Sequence, residues 1–268
     1  MTSFPPADRS NVADAMVAPL RIEEAALNAL QTQRQLFLDG WLVRLSPGAA
    51  KRARSVNPHF GSSMPIDAKV DRCEAIYAAH RLPVLLRITP FCKPAALDDI
   101  LGHRGYVAFD NTLVQVADIG SVRRSTPARD AGVELVHVPI AAFVEAVGAL
   151  RGSSAEQRHA HLERLAHSPL AMHAIVALVD GRTLACGQVA IDDGLAAIYD
   201  MVTAPDARGR GFASAIVAAL LAWAREQAAA CAFLQVNDDN AAALAVYRKF
   251  GFATVYTYHY RARAGECE

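Results

Sequence analysis

The apolar positions along the chain change period several times, and each change marks an element. Residues 132–138, GVELVHV, are rich in β-branched side chains and read as a short strand. Over 141–150, Phe143, Val144, Val147 and Leu150 fall on one face at helical spacing. Residues 154–167 predict a second helix, where Ser154 and Gln157 are spaced for a capping box. Three strands follow over 173–179, 183–191 and 195–203, separated by the turn signals Asp180-Gly181 and Asp192-Asp193-Gly194. A charged, glycine-bearing loop over 205–211 leads into an alanine-rich helix over 212–230 and a short buried strand over 233–236. A helix over 240–250 ends at Gly251, placed as its C-cap, and 252–261 reads as a last strand with alternating aromatics. The order β-α-α-β-β-β-α-β-α-β predicts an α/β fold, a mixed sheet flanked by helices.

The first half runs through a similar order. Residues 40–45 read as a strand, 54–58 as an extended run ending in Pro58, and 66–80 as an amphipathic helix. A strand over 83–88, a short helix over 97–101 and a strand over 107–119 follow. In both halves a helix meets glycine and an aromatic, Gly105-Tyr106 and Gly251-Phe252, just before a final strand. The match in order predicts a duplication of roughly 120 residues per unit. The polar run 121–131, SVRRSTPARDA, reads as the linker between domains 1–122 and 132–268.

Charge narrows the function classes. The 27 Lys and Arg balance the 27 Asp and Glu, so no global basic field exists to hold nucleic acid or an anionic membrane. The most apolar long stretch, 212–232, is broken by Arg225, Glu226 and Gln227, which suits a buried helix rather than a membrane span. Cys73, Cys92, Cys186, Cys231 and Cys267 form no C-x-x-C pair, and no histidines are spaced as ligands, so neither a disulfide framework nor a metal site is expected. The polar, proline-bearing residues 1–11 lack the form of a secretory leader, and a cytoplasmic location is expected.

The segment with most chemical content is Arg208-Gly209-Arg210-Gly211-Phe212-Ala213-Ser214, between a strand and a long helix. A diphosphate needs several backbone N–H groups converging on it, and a helix N-terminus supplies them with a favourable dipole. Glycines let the backbone approach closely. Arg208 and Arg210 add charge, and Ser214 adds a hydroxyl in the first turn. The run has neither the lysine and spacing of a nucleoside triphosphate loop nor a full G-x-G-x-x-G fingerprint. A basic turn that only caps a helix is the plainer alternative.

Residues 202–213 resemble motif A of the GNAT superfamily of N-acetyltransferases, [QR]-x-x-G-x-[GA], with Arg208, Gly211 and Ala213 at the defined places. Downstream, 240–252 (NAAALAVYRKFGF) resembles the family's N-x-x-A-x-x-x-Y-x-x-x-G-F motif. The resemblance covers about residues 132–263. It implies the GNAT fold and acetyl-CoA as co-substrate. The first half fits only by element order and lacks the arginine–glycine loop at 60–65 (FGSSMP), which implies a tandem arrangement with a degenerate N-terminal copy.

The resemblance also implies roles. Met201, Val202 and Thr203 fall on the splayed strand whose backbone pairs with the pantetheine arm, and Phe212 opens the helix beside the phosphates. Asn240 reads both as an N-cap and as a cofactor contact. Tyr247, two helical turns on, reads both as a core aromatic and as the general acid for the departing thiolate. Asp200, beside the splay, is the carboxylate best placed as general base, with Glu134, Asp192, Asp193, His137 and His173 as weaker candidates. His159, His161 and His167 lie on a polar helix and read as solvated surface. Cys186 and Cys231 sit in apolar strands and read as structural. The implied function is direct acetyl transfer to a primary amine, with a small molecule favoured by the neutral charge. The alternative is a non-catalytic acyl-CoA-binding regulatory or interaction module. No feature fixes the acceptor or the oligomeric state.

Overall fold

In a computed structural model, described for residues 17–122 and 132–267, one eleven-stranded sheet runs through the whole molecule. The first half supplies α1 (Pro19–Asn28), β1 (Gln35–Leu38), β2 (Trp41–Arg44), β3 (Val56–Asn57), α2 (Ile66–Ala79), β4 (Leu86–Ile88), α3 (Leu97–His103) and β5 (Tyr106–Asp118). The second supplies β6 (Glu134–His137), α4 (Ile140–Arg151), α5 (Ala155–Ala166), β7 (Ala171–Val179), β8 (Arg182–Asp192), β9 (Leu195–Thr203), α6 (Phe212–Glu226), β10 (Cys231–Asn237), α7 (Ala241–Arg248) and β11 (Ala253–Arg263). Residues 1–11, read as lacking the form of a secretory leader, and 123–131, most of the expected linker, lie outside the described residues.

The strand order is β1-β2-β3-β4-β11-β5-β10-β9-β8-β7-β6. Two pairs are parallel, β3 with β4 and β9 with β10, and each is joined by a helix, α2 and α6. The same unit therefore occurs once in each half. The closing strands are exchanged: β11 lies antiparallel between β4 and β5, and β5 lies antiparallel between β11 and β10. Neither half completes its stretch of sheet from its own chain.

Local signals explain the elements. Asp180-Gly181 and Asp193-Gly194 both have positive φ, 50° and 75°, 46° and 79°, as a two-residue type I′ hairpin turn requires. At α5 the Ser154 hydroxyl accepts from the Gln157 N–H while the Gln157 side chain accepts from the Ser154 N–H, completing the capping box. Helix α6 buries Phe212, Ile216, Val217, Leu220, Leu221 and Ala224. It lies so close to β8 that a Cβ on Gly187 would stand 2.9 Å from Ile216 and 2.2 Å from the Met201 sulfur. The helix expected over 212–230 ends at Glu226, followed by Ala228 at φ 59°.

Sequence periodicity missed α1, which crosses the face of the sheet opposite α6. Ile22, Ala25, Ala26 and Ala29 pack there on Ala190, Ala197, Tyr199, Phe233, Tyr256 and Tyr258. Its Glu23 is fully buried and accepts from Nη1 and Nη2 of Arg87 on β4 and from the Tyr256 hydroxyl of β11. The first half's helix is thus fastened to strands of both halves.

Because each half needs the other's last strand, the protein is expected to unfold in one transition with equal calorimetric and van't Hoff enthalpies. A chain cut after residue 252, lacking β11, is expected to lose dispersed amide signals from both halves. Two separate thermal transitions in the intact chain would show that the halves are independent.

Candidate functional site

The site is built where β9 and β10 part. Their parallel pairing covers Leu195–Ile198 against Cys231–Leu234 and stops there. Beyond it β9 pairs only with β8, through Thr203, and β10 pairs only with β5, through Asn237. The facing edges from Tyr199 to Thr203 and from Gln235 to Asn237 therefore do not bond to each other. Met201, Val202 and Thr203 all lie in this wedge.

A bulge shapes the wedge. Cys186 faces Val202 and Gln188 faces Tyr199, leaving Asp200 and Met201 opposite Gly187 alone. Asp200 takes φ 52°, a left-handed conformation rare for a side-chain-bearing residue. Met201 turns toward α6, while Asp200 turns to the other face. There its carboxylate accepts from Gln188 Nε2 at 2.6 Å and Arg151 Nη1 at 2.8 Å, and lies 3.0 Å from His161 Nε2. Burial opposes ionisation, but the His161 hydrogen bond and the charges of Arg151 and Arg164 outweigh it and hold the carboxyl well below the usual range.

His161 is thus not the solvated surface group its polar helix suggested. Its side chain is 11% exposed, and α5 aims it at Asp200. The sequence signal was its i, i+3 partnership with Arg164, which gives the helix a polar inward edge. The weaker base candidates lie elsewhere. His137 stacks on His173 at 4.3 Å, and His173 stacks in turn on Trp223 of α6 at 4.9 Å. Asp192 and Asp193 engage Asn28 and Arg21, and Glu134 is exposed on the outermost strand. Burial pushes the Cys186 and Cys231 thiols up, to about 12 and about 11, so both are structural groups rather than nucleophiles.

At the end of β9 the chain turns through Pro205–Ala207 into the glycine loop. Gly209 and Gly211 have φ 77° and 96°, values that admit glycine at little cost. Gly211 is the N-cap of α6, and no side chain caps that end. The first N–H groups of Phe212, Ala213 and Ser214 have no partner within the helix and face the loop. Arg208 and Arg210 are exposed beside them, with Arg210 over the Phe212 ring at 5.1 Å. Asp206 and Arg182 form a two-point pair that fixes the turn. The loop, the helix end and the wedge together fit a diphosphate with an extended arm.

On α7, Asn240 is the N-cap, its side chain accepting from the Ala243 N–H at 3.1 Å. Tyr247 is buried, edge-on to Phe252, and burial pushes its phenol up to about 12. It is therefore protonated at neutral pH and able to donate.

The corresponding loop of the first half is filled from within. Between β3 and α2, the Asp39 carboxylate accepts from the N–H groups of Ser63 and Met64 and from the hydroxyls of Ser62 and Ser63. Lys69 sits against it. A Cβ on Gly40 would stand 2.4 Å from the Gly61 carbonyl, so the hairpin carrying Asp39 is pressed onto the loop. Among the described residues no group of His, Cys, Asp and Glu fits a metal ion, and no helix is long and apolar enough to cross a membrane.

Comparison with known proteins gives a consistent family. Residues 150–252 match the model of the acetyltransferase (GNAT) family. Over 245 residues, 91% of this chain and 98% of the relative, the chain is 28% identical to YobR of Bacillus subtilis (strain 168), described as an uncharacterized N-acetyltransferase. A solved GCN5-related N-acetyltransferase from Kribbella flavida shares the fold at TM-score 0.70 and 20% identity, covering 93% of this chain and 96% of that one. A tandem GNAT protein from the clavulanic acid biosynthesis pathway shares it at TM-score 0.58 and 17% identity, over 73% of this chain and 68% of that one.

The lowered pKa of Asp200 has a definite sign for stability. Its contribution is present above the ordinary carboxylate pKa and is lost as pH falls through the folded value. Asp200→Asn, which removes the charge that His161 and Arg151 face, is expected to cost about 1.5–3 kcal/mol at pH 7, the scale of a hydrogen bond to a charged group. In urea unfolding the gap from wild type should narrow below about pH 4. A gap that does not change with pH would show that the charge of Asp200 is not what the fold stabilises.

Proposed function

We propose, for a chain that carries a GNAT-family acetyltransferase domain, that it moves an acetyl group from acetyl-CoA to the primary amine of a small molecule. The observation that carries this reading is the conjunction of an open strand wedge with an uncapped, glycine-entered helix end at its mouth. Arg208, Gly209, Arg210, Gly211, Phe212, Ala213 and Ser214 hold the diphosphate through backbone N–H groups and charge. The backbone of Met201, Val202 and Thr203 pairs with the pantetheine arm, and Asn240 flanks it from α7. Bound acetyl-CoA supplies an activated thioester carbonyl.

The residues around the wedge handle the protons. Asp200, held ionised, fixes the His161 ring by hydrogen bond, and His161 takes the ammonium proton before attack. The bonding pattern thus divides between two residues the base role first given to Asp200. As the new C–N bond forms and the C–S bond breaks, Tyr247 donates its phenolic proton to the departing sulfur. The backbone at the bulge lines the place where the carbonyl oxygen gains charge.

We further propose that the chain is a tandem of two GNAT-like units, 1–122 and 132–268, only the second of which takes the co-substrate. Asp39 stands in the first unit where a phosphate would bind.

Calorimetric titration with acetyl-CoA is expected to give saturable binding in the wild type and at least ~100-fold weaker binding in an Arg208→Ala, Gly211→Glu double variant, since several charge-assisted contacts go together. Tyr247→Phe and His161→Ala are each expected to lower kcat by about 10²–10⁴ with acetyl-CoA affinity unchanged. Binding without transfer to any amine would move the chain to the non-catalytic acyl-CoA-binding class. No binding at all would refute the co-substrate assignment.

A further inference from the structure

One piece of the first half reaches the side of the wedge where Asp200 emerges. Strands β2 and β3 form an antiparallel hairpin, with Leu42 facing Asn57 and Val43 facing Val56. The ladder runs on beyond these pairs. The Arg44 N–H donates to the Ser55 carbonyl, and the Ser46 N–H donates to the Ala53 carbonyl at 3.0 Å. Residues 47–52, PGAAKR, are therefore a hairpin tip closed at its base. Inside the tip the Gly48 N–H donates to the Ser46 hydroxyl at 3.2 Å, and the Ala53 N–H donates to the Ala50 carbonyl at 2.9 Å. Base and interior are both bonded, so the tip is carried by the sheet.

The tip touches both banks of the wedge. On one side Gly48 is buried against α5, where a Cβ would stand 3.4 Å from the Ala160 Cβ. Ala160 is the residue before His161. On the other side Lys51 Nζ lies 3.1 Å from Asp110 Oδ2 and 5.4 Å from the centre of the Phe109 ring, both on β5. Asp110 Oδ1 accepts from Asn237 Nδ2 at 2.7 Å, which ties this contact to the end of β10. Asn237 alternates with Gln235, which meets Tyr258, and with Phe233, which packs beside α1. It therefore faces the same side of the sheet as α1, and Asp200 turns to that side too. Thus α5, His161 and Asp200 stand on the β9 bank, and Asn237, Asp110 and Lys51 on the β10 bank. Residues 48–51 join the two, and three steps of chain span at most about 11 Å. The tip crosses the wedge where its strands have parted.

We propose that the hairpin tip 47–52 roofs the acceptor's approach to His161 and selects acceptors by width. The thioester arm lies along the facing strand edges, with its diphosphate at the head of α6. The acceptor nitrogen has to meet the same carbonyl from the His161 side. That side is bounded by α5, by the Asn237–Asp110 pair, by α1 at the closed end of the wedge and by the tip above. The tip is held at its base and at both flanks, so the passage keeps its width. Lys51 and Asp110 are the latch, an ion pair with side chains only 27% and 16% exposed. A primary amine on a narrow, unbranched chain passes, and one with a ring close to its nitrogen meets the tip. Gly48, Lys51 and Asp110 of the first half are then specificity-determining residues for the second half's reaction. Selection of the acceptor rests on the acetyl-transfer reading; the roof over His161 does not.

The seating, the roof and the selection are tested in turn on the full chain. In a Gly48→Cys, Ala160→Cys double variant a disulfide is expected under oxidising conditions, read by mass, since the 3.4 Å gap is close to the usual Cβ separation of about 3.5–4.5 Å. A pair that stays reduced would show that the tip is not seated on α5 and would overturn the proposal. For the roof, His161→Cys is labelled with methyl and with cyclohexyl methanethiosulfonate. Each rate at position 161 is read by peptide mass and divided by that reagent's rate with glutathione. The cyclohexyl reagent is expected to fall at least about tenfold behind, the scale at which a pocket rejects added carbon. Lys51→Met and Asp110→Asn, which release the latch, should each shrink the gap, and Lys51→Arg, which keeps the pair, should preserve it. Equal relative rates in the latched chain, or labelling that neither releasing variant changes, would overturn the roof. For the selection, acetylation of butylamine is expected to exceed that of cyclohexylmethylamine at least about tenfold in kcat/KM, with Lys51→Met narrowing the ratio. If the labelling holds and both amines are acetylated equally, the roof does not select. If it holds and neither is acetylated, selection falls with the transfer reading and the roof stands.

Discussion

The placing of β5 and β11 side by side at the centre of the sheet governs the rest of the molecule. Each is the last strand of its own half and the completing strand of the other. The exchange makes the sheet continuous over all eleven strands, so the wedge between β9 and β10 has a rigid wall on both sides. It also brings α1 across the second half's strands and sets the loop before Arg52 against α5. A parallel pair that opens partway along would be a weak point in an isolated half. Here β10 keeps a full antiparallel partner in β5 along the part that β9 leaves.

The loops that lead into α6 and α2 treat their backbone N–H groups in opposite ways. In the second half, two left-handed glycines bring the chain to a helix end that no side chain caps. In the first half, Asp39 reaches over from a neighbouring hairpin and takes the N–H groups of Ser63 and Met64 in the loop just before α2. Its carboxyl is held below the usual range, most by the Met64 N–H and then by the Ser62 and Ser63 hydroxyls. An internal carboxylate meets the same electrostatic demand as a phosphate oxygen and needs no ligand to be present. In the first half, loop N–H and hydroxyl groups thus serve as folding contacts.

Much of this was legible in the sequence where the determinants are local. The capping box at Ser154 and Gln157, the Asp-Gly turns and the Asn240 cap are short-range devices, and the structure places each where the pattern put it. Strand β9 has the limits its apolar run suggested. The failures share a cause, because they depend on residues far apart in the chain. Helix α1 is short, and its buried face is alanine with a glutamate beside it, a pattern that reads as surface until Arg87 is known to meet Glu23. Strand exchange leaves no mark in the order of elements. His161 looked solvated because its own helix is polar, and only the bulge in β9 brings Asp200 round to meet it.

That bulge links fold and chemistry. In a regular strand, Asp200 and Ile198 would point to the same side, under α6, where a carboxylate has no cationic partner. One extra residue opposite Gly187 changes the alternation: Met201 replaces it beneath α6, and Asp200 emerges among Gln188, His161 and Arg151. Gly187 permits this, because the Met201 sulfur fills the space a side chain there would occupy. The left-handed backbone at Asp200 costs about 1–3 kcal/mol in its own right. The part-buried contacts from Gln188 and His161, each worth about 1.5–3 kcal/mol as hydrogen bonds to a charged group, outweigh that cost, and the more exposed Arg151 adds a smaller share. The irregularity that opens the wedge is therefore held by the same contacts that join Asp200 to His161, so the two features of the site form together.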